Sequence, residues 1–276
     1  MIRVGTRGSA LALTQARWVA ERLGDEAELV TVASSPDTGD KSRWVSGLER
    51  ALLDDEIDIA VHSAKDVPAE LADGLQLAAI PARADPRDAI CGAPSLAQLR
   101  SGARVGTSSL RRAAQLCAIR ADLDVVDVRG NVDTRLRKLA DGEFDALVLA
   151  AAGLERLGRG PDGVLDELVP AAGQGALAIE ARQGTEAVAA ELEDPAARAC
   201  VMAERELTRA LDASCNTSVG AHARLLEDGR LKLSAWVGRP DGSEWLSDFV
   251  LGGLEGTGRL LAERMLSAGA AELLAP

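Results

Sequence analysis

Along the first two thirds of the chain the spacing of hydrophobic positions switches repeatedly between strand-like and helical periods. Ile2–Gly5 is a short apolar run and reads as a strand. Ser9–Leu23 then places Ala12, Ala16, Val19 and Leu23 on one helical face. A strand at Ala27–Ala33, a helix near Trp44–Leu53 and a strand at Ile57–His62 follow. After Pro86-Arg-Asp the pattern restarts, with Val105-Gly-Thr, a helix over Ser109–Ile119, a strand at Asp124–Val128, a helix over Val132–Leu139 and a strand at Ala146–Ala150. Strands alternating with helices as far as about residue 181 imply an α/β fold with mostly parallel sheets covered on both faces. The restart has the form of an internal duplication, because Val4-Gly-Thr-Arg-Gly-Ser and Val105-Gly-Thr-Ser-Ser each put Thr and Ser between a strand and a helix. Backbone N–H groups at such a junction are unpaired and attract anions. Simple helix capping by Ser and Thr explains the same residues.

The C-terminal part differs. After a helix over Ala203–Leu211, three segments, Val219–Leu226, Leu231–Val237 and Ser247–Gly252, read as antiparallel strands turning at Glu227-Asp-Gly-Arg and Pro240-Asp-Gly-Ser, and Gly256–Ala268 reads as a closing helix. The expected organisation is a first βα lobe over residues 1–84, completed by about 175–192, a second over 85–174, and a small α+β domain over 195–276.

Composition narrows this further. With no Tyr, two Phe and four Trp, the core must be built from aliphatic side chains, which suits α/β layers. The first residues carry Arg3 and Arg7 where a signal peptide needs an unbroken apolar run, and no apolar stretch reaches the length of a membrane span. Four cysteines without close pairing argue against a disulfide framework. A cytoplasmic protein with no membrane partner is expected. The net charge of −12 disfavours nucleic acid. Against that background Arg7, Arg111, Arg112, Arg129, Arg135 and Arg156 gather in short Gly/Ser/Thr-rich segments. Singly each reads as a solvated helix end; as a set they suggest one cleft holding a small polyanion. His62 and His222 are too few and isolated for a zinc site, and no metal is expected.

Two segments carry candidate chemistry. Asp58-Ile-Ala-Val-His-Ser-Ala-Lys-Asp-Val-Pro runs a buried strand into a turn, delivering Ser63, Lys65 and Asp66 to the carboxyl edge of a parallel sheet, where ligands bind. A turn-forming role for Asp66 fits the same residues. Cys91, Cys117 and Cys200 sit in apolar or helical contexts and read as buried packing. Cys215 instead lies in the polar loop Asp212-Ala-Ser-Cys-Asn-Thr-Ser, placed to react.

These segments, with Gly106-Thr-Ser-Ser-Leu-Arg-Arg, Arg129-Gly-Asn-Val-Asp-Thr-Arg, Ala152-Gly-Leu-Glu-Arg-Leu-Gly and Gly173-Gln-Gly-Ala, resemble the porphobilinogen deaminase (hydroxymethylbilane synthase) family, in family order and over nearly the whole chain. The resemblance implies two lobes like those of periplasmic binding proteins and a third domain. It also implies a transferase of tetrapyrrole (haem) biosynthesis that condenses four porphobilinogen molecules with loss of ammonia and releases hydroxymethylbilane. By the same resemblance Cys215 holds a dipyrromethane cofactor through a thioether and Asp66 is the catalytic carboxylate. Arg7, Arg111, Arg112, Arg129, Arg135 and Arg156 match the family's carboxylate-binding arginines, and Ser9, Gln15, Ser63, Lys65, Thr107, Ser108, Ser109 and Gln174 its supporting positions. The family is expected to be monomeric. Before Leu48 the family has a longer Gly/Lys-rich loop; here only Lys41-Ser-Arg-Trp-Val-Ser-Gly stands there, with Lys41 and Trp44 in place of the loop lysine and the aromatic. A two-lobed binding protein for a small anion and an inactive relative of the enzyme remain alternative readings.

Overall fold

The computed structural model describes residues 1–33, 42–213 and 217–275, with the backbone alone for residues 42–45. In the first lobe β1 (Ile2–Thr6), α1 (Ala10–Leu23), β2 (Ala27–Thr31), α2 (Ser42–Leu53), β3 (Ile59–Ser63) and β4 (Leu75–Ala79) follow in order. The chain then crosses to the second lobe through β5 (Asp88–Cys91), β6 (Arg104–Gly106), α3 (Leu110–Ile119), β7 (Asp124–Val126), α4 (Val132–Ala140), β8 (Ala146–Ala150), α5 (Ala151–Arg156) and β9 (Gly163–Leu165). It returns as β10 (Leu177–Arg182) and ends in α6 (Pro195–Ala210), β11 (Val219–Leu225), β12 (Leu231–Gly238), β13 (Trp245–Gly252), α7 (Thr257–Ser267) and α8 (Ala270–Leu274).

The duplication seen in the sequence is a duplication of topology. One sheet has the order β2-β1-β3-β10-β4 and the other β7-β6-β8-β5-β9. In each, the first three strands of that order pair in parallel, and one crossing strand, β10 or β5, runs against its two neighbours. Each sheet is therefore parallel-rich with one reversed strand contributed by a segment that has just crossed from the other lobe. Both crossovers run between the same two sheets.

Aliphatic packing builds each layer, as the scarcity of aromatics requires. Val4, Ala16, Val19, Ile59, Val61 and Ile179 pack β1, β3 and β10 against α1; Leu48, Leu52, Ile57 and Ala60 pack α2 on the other face. The third domain buries Leu207 of α6 and Leu261 and Met265 of α7 against Ala221, Leu233 and Val250 of its three-stranded antiparallel sheet. Of the described residues, no helix is long and apolar enough to cross a membrane.

Two local expectations change. The helix expected over Ala203–Leu211 begins at Pro195, capped by the Asp194 side chain, which accepts from the Ala197 N–H, with Pro at the first turn where its missing donor is harmless. Of the α3 face expected to be apolar, Leu110, Ala113, Ala114 and Cys117, only Ala114 is buried. The buried residues are Arg111, Arg112, Ala114, Gln115 and Leu116, while Cys117 is half-buried and Leu110 exposed. Two arginines occupy core positions because an acid meets them there. Cys91 and Cys200 are buried as expected.

Candidate active site

The cleft is built from the carboxyl ends of the strands. β1 runs through Thr6 into Arg7 and the cap of α1, where the Ser9 hydroxyl accepts from the Ala12 N–H at 3.3 Å. Gln15 lies on the buried side of α1 and donates through Nε2 to Ser63 Oγ at 2.9 Å, tying the helix to the end of β3. A single 3-10 turn, Ala64–Asp66, continues from β3 and carries Lys65 and Asp66. From the second lobe come Arg112 of α3, Asn131 at the cap of α4, Arg135 one turn further on, and Arg156 at the end of α5.

Together these line a cavity of about 340 Å³, within the range of small-molecule sites. Arg7, Lys65, Arg112, Arg135 and Arg156 face it, with Asp133 the sole acidic residue of the lining among the described residues. A small recess lined by Arg7, Gln15, His62, Ser63 and Asp66 opens beside it, sharing Arg7, Gln15 and Ser63 with the larger cavity. The arrangement is a cationic pocket with one carboxylate at its margin.

Several of these cations are fixed in advance. Asp88, fully buried at the head of β5, accepts from both terminal nitrogens of Arg111 at 2.8 and 3.0 Å and from Arg112 Nε at 2.7 Å. Burial alone raises a carboxyl pKa, but the two guanidinium charges and the hydrogen bonds from Arg111 and Gln174 override it and hold Asp88 well below the ordinary carboxylate range. Gln174 links the two lobes. Its Nε2 donates to Asp88 Oδ1 and to the Pro86 carbonyl, while its Oε1 accepts from Arg112 at 3.2 Å and from Lys65 at 3.4 Å. Arg156 donates to the Gly175 carbonyl at 2.7 Å, and Arg135 Nε to the Gly130 carbonyl at 2.7 Å. Burial lowers the pKa of both Arg112 and Arg156.

The remaining expected residues are distributed differently. Arg111 is spent on Asp88 and the Val169 carbonyl. Thr107 is buried and accepts from the Ser109 N–H, Ser109 caps α3 by accepting from the Arg112 N–H, and Ser108 is exposed. Arg129 is 83% exposed beside Asp127. None of these five is part of the cavity lining just described, nor is Gln174. Cys215 and Lys41 lie outside the described residues, as does the side chain of Trp44. Asp88 and Asn131 were not anticipated. For Asp88 the signal was present: an acid heading the apolar run Ala89-Ile-Cys must be paired if that run is buried.

The fold and cleft define a class: a two-lobed α/β protein with a cation-lined cleft between its lobes and a third domain attached. Comparison with known proteins makes this specific. The family description "Porphobilinogen deaminase, dipyromethane cofactor binding domain" matches residues 2–190, and "Porphobilinogen deaminase, C-terminal domain" matches residues 198–266. The porphobilinogen deaminase of Thiobacillus denitrificans is 46% identical over 99% of this chain and 97% of its own length. That of Thermus thermophilus is 46% identical over 100% and 98%. Among solved structures, a periplasmic substrate-binding protein of an ABC transporter from Coxiella burnetii is similar with a TM-score of 0.44 and 15% identity, over 72% of this chain and 94% of that one. The chain belongs to the porphobilinogen deaminase family, whose members are transferases with a dipyrromethane cofactor.

Proposed function

We propose that this enzyme joins four porphobilinogen molecules head to tail, releases one ammonia for each, and frees hydroxymethylbilane by adding one water, with Asp66 as the reacting carboxylate. The observation that carries the reading is the cation-lined cleft with Asp66 in the recess beside it. A dipyrromethane bears an acetate and a propionate on each ring, and five cations opposed by one acid in the lining suit such a ligand. When bound, it supplies the pyrrole carbon to which the first substrate is joined. Cys215 is proposed as its point of attachment through a thioether.

In each cycle the aminomethyl C–N bond of porphobilinogen breaks and ammonia leaves with the electron pair, so the substrate ring becomes cationic. An ionised Asp66 stabilises that charge and the charge that follows when the new C–C bond forms, and assists loss of the α-carbon proton. Lys65 shares the turn with Asp66 and is tethered to Gln174. Arg7, Arg112, Arg135 and Arg156 hold the carboxylates of the chain, at about 1.5–3 kcal/mol for each charge-assisted contact, while the reacting end changes. Arg111, Arg129, Thr107, Ser108 and Ser109 are assigned supporting roles next to these. Residues 1–84 with 175–192, 85–174 and 195–276 serve as three domains in this reading. The enzyme works as a cytoplasmic monomer, with no nucleic acid or membrane partner.

Two measurements test the reading. Intact mass of the purified protein is expected to exceed the polypeptide by a dipyrromethane, to lose that excess in Cys215→Ser and to keep it in Cys117→Ser. Turnover in Asp66→Asn is expected to fall by at least about 10²-fold with folding retained. An Asp66→Asn enzyme of nearly wild-type rate would assign the chemistry to another group.

A further inference from the structure

Directly behind the strand that delivers Asp66 lie two ionisable side chains with no part in the chemistry above. On β3, Val61 packs with Ala16 and Val19, and Ser63 bonds to Gln15, so both face α1. Alternation along the strand turns His62 to the opposite side of the sheet. There its Nε2 lies 3.0 Å from Oε2 of Glu180 on β10, the strand that pairs with β3. Glu180 is completely buried and His62 nearly so. No hydrogen bond aligns the contact: His62 Nε2 and both Glu180 oxygens lack a hydrogen-bond partner among the described residues.

A carboxylate so placed is rare and costly. The charged groups around it come from every neighbouring element. Glu49 of α2 has its pKa raised by burial and then by the charge of Glu180. Arg205 of α6 interacts electrostatically with Glu180. On the cleft side, His62 lines the recess that also contains Arg7 and Asp66. Apolar residues of similar size at positions 62 and 180 would give a sheet at least as stable, so stability supplies no reason for the pair. What a buried polar contact adds is a single preferred geometry. The backbone it fixes is that of β3 and β10 at the point where Ser63 leads into the turn Ala64–Asp66.

We propose that His62 is a positioning residue of the reaction, acting through Glu180: the buried pair fixes the end of β3 and with it the placement of Ser63, Lys65 and Asp66. The inference rests on Asp66 being the reacting carboxylate.

The test uses the holoenzyme and the variants His62→Gln and Glu180→Gln, which keep size and hydrogen-bonding capacity but remove the charge contact. Both are expected to fold and to hold KM within about threefold of wild type, while kcat falls about 10–100-fold, the scale of a displaced catalytic group. Because each removes the same contact, the two variants are also expected to lower kcat alike. Wild-type kcat in both variants, or a rise in KM that accounts for the loss, would overturn the proposal. Should a single variant fail to fold, His62→Leu/Glu180→Leu, which leaves no member of the pair, is expected to fold and still turn over slowly. A wild-type kcat in that double variant also overturns it. Asp66→Asn is assayed in parallel. If it stays active, the reading of Asp66 fails and this inference with it; if it is inactive while the His62 and Glu180 variants are normal, only this inference fails.

Discussion

A single carboxylate, Asp88, receives four side-chain donations, three from Arg111 and Arg112 and one from Gln174. Without it two guanidinium groups would be buried side by side, and their mutual repulsion would push α3 away from β5. Asp88→Asn keeps the shape and removes the charge. Breaking a buried pair of this kind is expected to cost about 3–5 kcal/mol, measurable as a lower denaturation midpoint. The pH dependence has a definite sign. The folded-state pKa of Asp88 is depressed, chiefly by Arg111 and Arg112 against the opposing effect of burial. Its stabilisation is therefore fully present above the unfolded carboxylate value of about 4 and is lost as pH falls below it. Wild type should lose stability steeply on acidification, and Asp88→Asn should show a flatter acid limb. Equal acid limbs would mean that other carboxylates carry the effect. Asp66 and its turn were legible in the sequence because the motif puts polar residues at a strand end. Asp88 heads an apolar run, which signals that it needs a partner without naming one; His62 and Glu180 lie inside apolar runs, and only the packed structure supplies their partners.

At the level of elements, the helices were the legible part. Ser9 and Ser109 announce the starts of α1 and α3, and both side chains cap as their spacing predicts. Strands β5, β9 and β10 were harder to read, because a three- to six-residue apolar run has no periodicity of its own and its place is decided by the crossover that carries it. The return crossover also constrains the site. Gly173 has φ 72°, and a Cβ there would stand 2.9 Å from the Ala64 carbonyl carbon and 3.0 Å from the Lys65 nitrogen. Both the positive φ and the close approach exclude a side chain. Gly173→Ala is expected to destabilise by about 1–2 kcal/mol from the conformation alone and to displace the turn Ala64–Asp66. Turnover should therefore fall by more than the fraction of unfolded protein explains, measured on samples normalised for folded content. A loss of activity matched by the loss of folded enzyme would show that the turn tolerates the shift.

At the scale of the whole molecule, both crossovers and the third domain meet at one buried acid. Glu204 of α6 is completely buried and pairs with Arg83 of the first crossover through both oxygens, at 2.6 and 3.2 Å. Its oxygens also accept from the Gly173 N–H of the return crossover and the Ala223 N–H of β11, each at 2.7 Å. Arg83 in turn donates to the Gln174 carbonyl at 2.8 Å. Both crossovers and the C-terminal domain are thus fastened to each other at Glu204. The sheets themselves share no strands with the third domain, and beside Glu204 the Ala221 N–H donates to the Pro170 carbonyl at 2.8 Å while Ala172 packs on the third domain's core. Neither Arg83 nor Glu204 belongs to a motif, and their separation of 121 residues hides the pairing from the sequence. Glu204→Gln leaves Arg83 buried without its counter-charge. It is expected to cost about 3–5 kcal/mol and to uncouple the C-terminal domain, so that calorimetry resolves two transitions where the wild-type enzyme gives one. Turnover should fall even at temperatures where both parts are folded, because the segment bearing Gly173 and Gln174 would no longer be held against the third domain. A single transition with the wild-type midpoint and wild-type turnover would show that packing between α6 and the crossovers suffices without the charge.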